Sequence, residues 1–512
     1  MRIFGRITAA FLILAIAFYF TGCGKVETSK PEATEPRVLR PEGVDIEFTK
    51  SEAGVERVAV TFENGQVDYF KGDELFSPDF KWAAFSGTEN GFGQGLWIFA
   101  VDGSDARLVE KIQGEDFESG AFRLWLLGWD NGGSLIYAVS GKFKEGKHQG
   151  KEGLIFKKYN PESEEAKEIG RLPLKDGYWS GMMFNRAHNL VFVDVISEIW
   201  KVDVAEGVVS PLKGGLPSYD GLFYPRLSPS GEYFAYEKYE PDVPGIYILD
   251  TKSGEEKILA KGGKVIQFLP LWSPDGRHIA YYSAGKDSEG GYDLIQGENY
   301  PYPLGDFIEV VNVKTGSSFR IEIPDKKVGF ASWSYDGTSL LFCAISKEKA
   351  EEIKEIITND AQEINNISWD GLYIAELEGN IKEVAKGIKT PVTAYLSKDK
   401  SAVYFADSDA LSSGDLLYLP VGRGKVKLNP GEVKKWIVND YGIAEYKGNP
   451  VIAAYLQDGT FRLFIFEDEK AKDVFSESGS LWRYTVVGDY LVLSYTTKEN
   501  QKERLEFIKL KD

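Results

Sequence analysis

The sequence predicts an all-β chain folded as a ring of four-stranded antiparallel blades, and three observations predict it. A ten-residue phrase recurs. Each copy is followed by a further strand and turn. The copies return at a blade-sized interval. The cleanest copy is WSPDGRHIAY (272–281); weaker ones are FSPDFKWAAF (76–85), LSPSGEYFAY (227–236), WSYDGTSLLF (333–342) and LSKDKSAVYF (396–405).

The phrase reads as a tight turn feeding a strand. Pro274 presets φ, Asp275 tolerates the next position, and Gly276 takes a backbone shape that a Cβ disfavours. In the run that follows, Ile279 and Tyr281 face one side while Ala280 and Tyr282 face the other. Both sides are apolar, so the strand is expected to be buried between two neighbouring sheets. The large residue before the turn (Phe76, Leu227, Trp272, Trp333) is expected to wedge between sheets.

Next come LWIFAVDG (96–103), IWKVDVAEG (199–207), IYILDTKSG (246–254), IEVVNVKTG (308–316) and LYIAELEG (372–379), each with a Gly that marks a second hairpin. Short outer strands such as EKILA (256–260) and FRIEI (319–323) bring the count to four per unit, the blade of a β-propeller.

The turn position falls at Ser77, Asp130, Asn185, Ser228, Ser273, Ser334 and Ser397, at intervals of 43 to 63 residues. Two degenerate units follow, at 451–466 and 490–510. Of nine candidate hairpins, eight blades are expected, with seven or nine left open. VERVAVTF (55–62) is expected to add an outer strand to the last blade, so that N- and C-terminal strands close the ring. The longest intervals carry insertions, a Gly/Pro/Tyr-rich loop at 286–306 and a charged segment at 347–368 that reads as a short helix through Ile353, Ile356 and Ile357. Insertions of this kind lie on the faces or rim of a ring, where binding surfaces are commonly built.

The N-terminus carries an address. Arg2 and Arg6 precede an apolar run from Ile7 to Phe20, 14 residues long and short for a membrane span. Phe20-Thr21-Gly22-Cys23 follows, and it resembles a bacterial lipoprotein signal, with Phe20 where Leu is usual. The resemblance implies cleavage of residues 1–22 and lipidation of Cys23. Gly24 in place of Asp gives no signal for inner-membrane retention. Residues 23–45, polar and Pro-rich, are expected to be a flexible tether, and 46–512 the β-propeller. The expected location is the cell envelope, on the extracytoplasmic side of a bacterial membrane, with contact to the membrane through the lipid.

Removing the two arginines of the signal takes the net charge from −18 to −20. That balance argues against nucleic acid and against flat adhesion to anionic lipid. With Cys23 lipidated, Cys343 has no disulfide partner; in SLLFCAIS it reads as a small buried hydrophobe. The three histidines, His148, His188 and His278, form no metal-ligand pair. A G-x-S-x-G elbow and a phosphate-binding Gly-rich loop are both missing. No catalytic residue, cofactor or metal is expected, and the chain reads as a non-enzyme. KDSEGGYD (286–293) lacks EF-hand spacing.

FSPD, LSPSG, WSPDG and WSYDG, each leading into a strand, resemble TolB-type propeller repeats. The resemblance covers residues 55–510 and is strongest over 225–345. Propellers of the prolyl oligopeptidase and dipeptidyl peptidase families share a related pattern but carry a separate hydrolase domain, for which no segment is expected here. A lipid anchor and tether stand where TolB has its N-terminal domain, so a lipoprotein on the same kind of ring is expected rather than TolB itself. Three functions remain open. The first is a tethered platform for an envelope protein. The second is a carbohydrate- or peptide-binding lipoprotein, for which YPYP (300–303) is a candidate aromatic cluster. The third is a lyase or glycosidase with axial carboxylates. The ligand-binding residues stay unassigned.

Overall fold

The structure is a computed structural model. It describes residues 36–511 except 53, 63–64, 69, 71, 73, 90–92, 114–122, 144–146, 148, 175–180, 196–197, 215–225, 239–244, 262–264, 286–303, 353–367, 378, 390, 408–414, 430–432 and 438–443.

The Ser-x-Asp-Gly phrase folds as the turn joining the first two strands of a blade. In the copy at 273–276, Ser273 Oγ donates to Asp275 Oδ1 (2.6 Å), which also accepts the Arg277 N–H (3.0 Å), while the His278 N–H donates to Ser273 Oγ (2.9 Å). Ser77 with Asp79, Ser334 with Asp336 and Ser397 with Asp399 repeat the Ser–Asp hydrogen bond. Asp130 and Asn185 take the serine's place in two other blades. These turn openers are the aligned positions of the sequence. All but Ser397 are buried, because each caps the inner end of its blade.

After the turn, the strand His278–Gly285 is covered on both sides. Ile279 and Tyr281 join the cluster shared with the preceding blade, Ala280 and Tyr282 that shared with the following one. The two-sided apolar pattern thus has its expected cause. Phe76, Leu227, Trp272 and Trp333 each pack against the interface behind them, as wedges.

Seven four-stranded antiparallel sheets span residues 65–113, 124–173, 181–213, 226–261, 265–321, 326–389 and 391–428; they are numbered here blades 1 to 7. The remaining strands form one continuous ladder of ten, which contains two blades. The strand Lys470–Val487 belongs to both. Its first half is the outer strand of blade 8, paired with Thr460–Glu467; its second half is the inner strand of blade 9, paired with Tyr490–Thr497. The bend falls at Gly479 (φ +152°), where a Cβ would lie 2.0 Å from the Thr496 carbonyl oxygen, so only glycine fits.

Among the described residues the ring therefore has nine blades, one more than the eight expected and within the range left open. Nine buried clusters count them independently. Each cluster joins one blade to the next, and the last joins blade 9 to blade 1 through Val492, Leu505 and Phe507 against Phe85, Trp97 and Phe99. The two terminal units look degenerate in sequence because one unbroken strand replaces the loop between them.

Closure occurs as expected. Gly54–Phe62 pairs antiparallel with Glu503–Lys509, with Arg57 opposite Ile508 and Thr61 opposite Arg504. Val44–Ser51 and Arg37–Leu39 extend the same sheet outward. Residues 37–39 and 44–45, assigned by sequence to the tether, are strand here, so the folded domain begins before residue 46.

Both insertions connect the second and third strands of consecutive blades, 5 and 6, and so leave from one face of the ring. Residues 347–352 are helical, while Ile353, Ile356 and Ile357 lie outside the described residues. Leu304 and Ala350, one from each insertion, share a buried cluster with Trp369. The Ser-x-Asp turns lie on the opposite, turn face.

Candidate functional site

The inner strands surround a cavity of about 1640 Å³ that reaches the turn face at Ser77, Asn131 and Pro229. Its wall is mainly apolar. Trp125, Met182, Met183, Phe184, Trp272 and Trp333 line it, all half-buried. The chain has three methionines including Met1, so both internal ones are in this wall. Sequence reading missed them; their rarity was the available signal. Methionine and tryptophan give an adaptable, polarizable surface suited to binding.

Polar groups hold the wall in place. Arg186, in the blade 3 turn, donates to the Trp129 carbonyl (2.8 Å) and the Phe76 carbonyl (3.3 Å), tying together the turns of blades 1, 2 and 3. Gln94 bridges blades 1 and 2. Its Nε2 donates to Asp68 Oδ2 (2.6 Å) and the Leu124 carbonyl (2.9 Å), and its Oε1 accepts the Leu124 N–H (2.8 Å). Burial pushes the Asp68 carboxyl above its ordinary range, against the hydrogen bonds from Gln94 and Ser86 and the charge of Arg123. Behind Asp68, at the closure seam, burial pushes Glu503 up to about 7. The Val67 N–H donated to it (3.1 Å) opposes that rise, and the Asp68 charge adds to it.

A second cavity, about 400 Å³, opens between blades 9 and 1, lined by Phe80, Trp82, Tyr490, Asp102 and Glu162 among others. Phe80 lines both cavities. It stands in its turn where Gly276 and Gly337 stand in theirs, at φ +55°, and stacks on Tyr490 with ring centroids 6.2 Å apart. A bulky residue at positive φ is uncommon and marks a place where the surroundings hold the backbone.

The residues singled out by sequence fall as follows. Cys23 and His148 lie outside the described residues, as do residues 286–293 and 300–303. Cys343 is fully buried in the cluster between blades 6 and 7, and burial raises its thiol pKa well above the ordinary value. His188 sits in the blade 3 turn. His278 lies 3.2 Å from the Asn312 amide nitrogen and packs near Trp333; burial lowers its pKa, the Asp275 charge raises it, and Arg277 lowers it. Structure does not bring these histidines together: they belong to different blades. Among the described residues, no three His, Cys, Asp or Glu side chains gather as a metal site requires. No helix among them is long and apolar enough to cross a membrane.

No protein-family model matches the chain, and no curated protein does. Among solved structures it is similar to an oligogalacturonate lyase from Vibrio parahaemolyticus, at 12% identity over 73% of this chain and 95% of that one, with a TM-score of 0.34. It is similar to TolB from Acinetobacter baumannii at 12% identity over 78% and 84% of the two chains, with a TM-score of 0.27. It is also similar to the tricorn protease, at 12% identity and a TM-score of 0.32, over 77% of this chain and 43% of that longer one. The β-propeller assignment stands on the sheets and interblade clusters themselves.

Proposed function

We propose that this chain is a membrane-tethered lipoprotein of the cell envelope whose nine-bladed ring is a protein-interaction platform, with the axial funnel as its docking site. The methionine and tryptophan wall of the funnel carries the reading. At about 1640 Å³ the funnel exceeds the usual 300–1,000 Å³ or so of small-molecule pockets, and it suits a polypeptide segment. The tether part of the proposal rests on Arg2, Arg6, the apolar run and Cys23. In this reading the chain binds and does not catalyse.

The test is in-cell photocrosslinking from Met183, with Val208 on the outer rim as control and an anchorless Cys23→Ala variant alongside. One envelope protein captured from Met183 and not from Val208 is the expected result. Identical capture from both positions sinks the platform reading. A second reading, binding of a saccharide, is favoured by the smaller cavity, where Phe80, Trp82 and Tyr490 stand beside Asp102 and Glu162. Oligosaccharide binding that a Trp82→Ala change abolishes would select it.

A further inference from the structure

The sequence leaves open which face of the ring looks toward the membrane; the path of the first strand bears on it. Arg37–Leu39 is the outermost strand of blade 9, and Arg37 is its first residue. Arg37 lies opposite Phe48, and its guanidinium donates to the Ser104 carbonyl (3.0 Å). Ser104 belongs to the tight turn between the third and fourth strands of blade 1, on the turn face. The neighbouring strands agree. Arg57 pairs with Ile508 near the end of the third strand of blade 9, and Leu510 just beyond donates its N–H to the Asp489 carbonyl in that blade's turn (2.7 Å). The chain therefore enters the ring at the rim of the turn face.

The strands that flank both insertions end at the opposite face. That face carries Trp482, 65% exposed, where the strand Lys470–Val487 passes from blade 8 to blade 9. Its indole N–H donates to Thr496 Oγ1 (2.7 Å), and Lys498 next to it bonds to Ser478 across the crossing.

We infer that the turn face is apposed to the bilayer and the insertion face is presented away from it. This rests on the proposed lipidation of Cys23. The 14 residue steps from Cys23 to Arg37 span at most about 50 Å when fully extended. Blade strands of six to eight residues make the ring about 25 Å thick. Turning the insertion face to the membrane would lead the chain past the whole edge of blade 9, using about half of that reach and removing most of its conformations. The axial funnel reaches the turn face, so a segment docking there comes from the membrane side. A soluble partner meets the insertion face first.

Fluorescence energy transfer from labelled protein to acceptor headgroups tests this, with the full lipidated protein bound to phosphatidylglycerol-containing vesicles. Tyr335→Cys and Val208→Cys place the dye on the turn side, where these residues are 51% and 49% exposed. Trp482→Cys and Glu499→Cys place it on the insertion side. Cys343 is fully buried and stays unlabelled. Transfer about twofold or more higher from both turn-side sites is expected, given a ring about 25 Å thick. Equal transfer, or higher transfer from the insertion side, overturns the orientation while leaving the anchor reading intact. Wild-type protein that fails to float with vesicles, as Cys23→Ala must, overturns the anchor and this inference with it.

Discussion

At the scale of single residues, the nine turns share one backbone requirement. Each holds a residue at positive φ: Phe80, Gly133, Asn189, Gly231, Gly276, Gly337, Lys400, Gly448 and Gly488. Glycine is the cheap solution. At Lys400 (φ +60°) the ammonium reaches Asp336 of the preceding blade's turn (2.7 Å). Burial opposes it, yet Lys400 and Ser334 hold the Asp336 carboxyl far below its usual range. Two glycines differ in a way that can be measured. At Gly276 a Cβ would have its nearest neighbour at 3.6 Å, whereas at Gly231 it would meet Asn185 Nδ2 at 2.2 Å. Gly276→Ala is expected to lose about 1 kcal/mol through the left-handed backbone alone. Gly231→Ala is expected to lose about 1 kcal/mol more, as it displaces the Asn185 hydrogen bond to the Gly231 carbonyl. Urea denaturation of the two variants side by side checks the order.

Glu503 supplies the pH dependence at this scale. Its carboxyl is raised from 4.5 to about 7 in the folded ring, chiefly by burial. Between those values the folded state holds a proton that the unfolded chain releases. Its contribution is complete below about 4.5 and fades as pH rises through about 7. Melting curves from pH 4.5 to 8 should show wild-type protein losing stability relative to Glu503→Gln, which stays neutral throughout. Parallel curves for the two proteins would contradict the assignment.

At the scale of elements, the closing strand is held by more than its ladder. Glu506 is 0% exposed, on the strand Glu503–Lys509. Arg57 grips it from Gly54–Phe62 with two hydrogen bonds of 2.6 Å, and the Tyr495 hydroxyl donates a third. Arg57→Ala would leave a buried carboxylate without its cation, so a loss of about 3 kcal/mol is expected in chemical denaturation. Arg57→Lys should recover only part, since an ammonium cannot repeat the paired geometry. The element scale also shows how far sequence reading extends. The strand VERVAVTF and its partner were legible, because apolar alternation and a missing outer strand point to each other. The strands 37–39 and 44–51 were not. Val44, Ile46 and Phe48 alternate as a strand does, but six of the 15 residues from 37 to 51 are charged, and the pairing partner is supplied by the open edge of Gly54–Phe62.

At the scale of the whole molecule, the ring is one cooperative object because each cluster is shared by two blades. Deleting residues 36–64 removes the closing strands, bares the edge of Glu503–Lys509 and uncovers Phe507 and Leu505. The deletion variant is expected to self-associate in size-exclusion chromatography and to lose a single sharp thermal transition, since an unpaired apolar edge invites pairing between chains. A monomeric variant with one transition near the wild-type temperature would show that closure contributes little.

The repeat by itself determined the architecture of this protein. Turn chemistry and two-sided burial act over ten residues, and ten residues are enough to write them. The lipoprotein signal proposed for the N-terminus rests on an equally local pattern, Arg2, Arg6, the apolar run and Cys23, and it stays a proposal. Blade number and funnel were decided only by the tertiary structure. Nine blades follow from how many wedge-shaped interfaces close a circle, and Gly479 hides one junction inside a continuous strand. The funnel wall gathers Trp125, Met182, Phe184, Trp272 and Trp333 from four blades. Phe184, Trp272 and Trp333 share one repeat position, directly before Asn185, Ser273 and Ser334, but it is the curvature of the ring that turns them, with Trp125 and Met182, onto one wall.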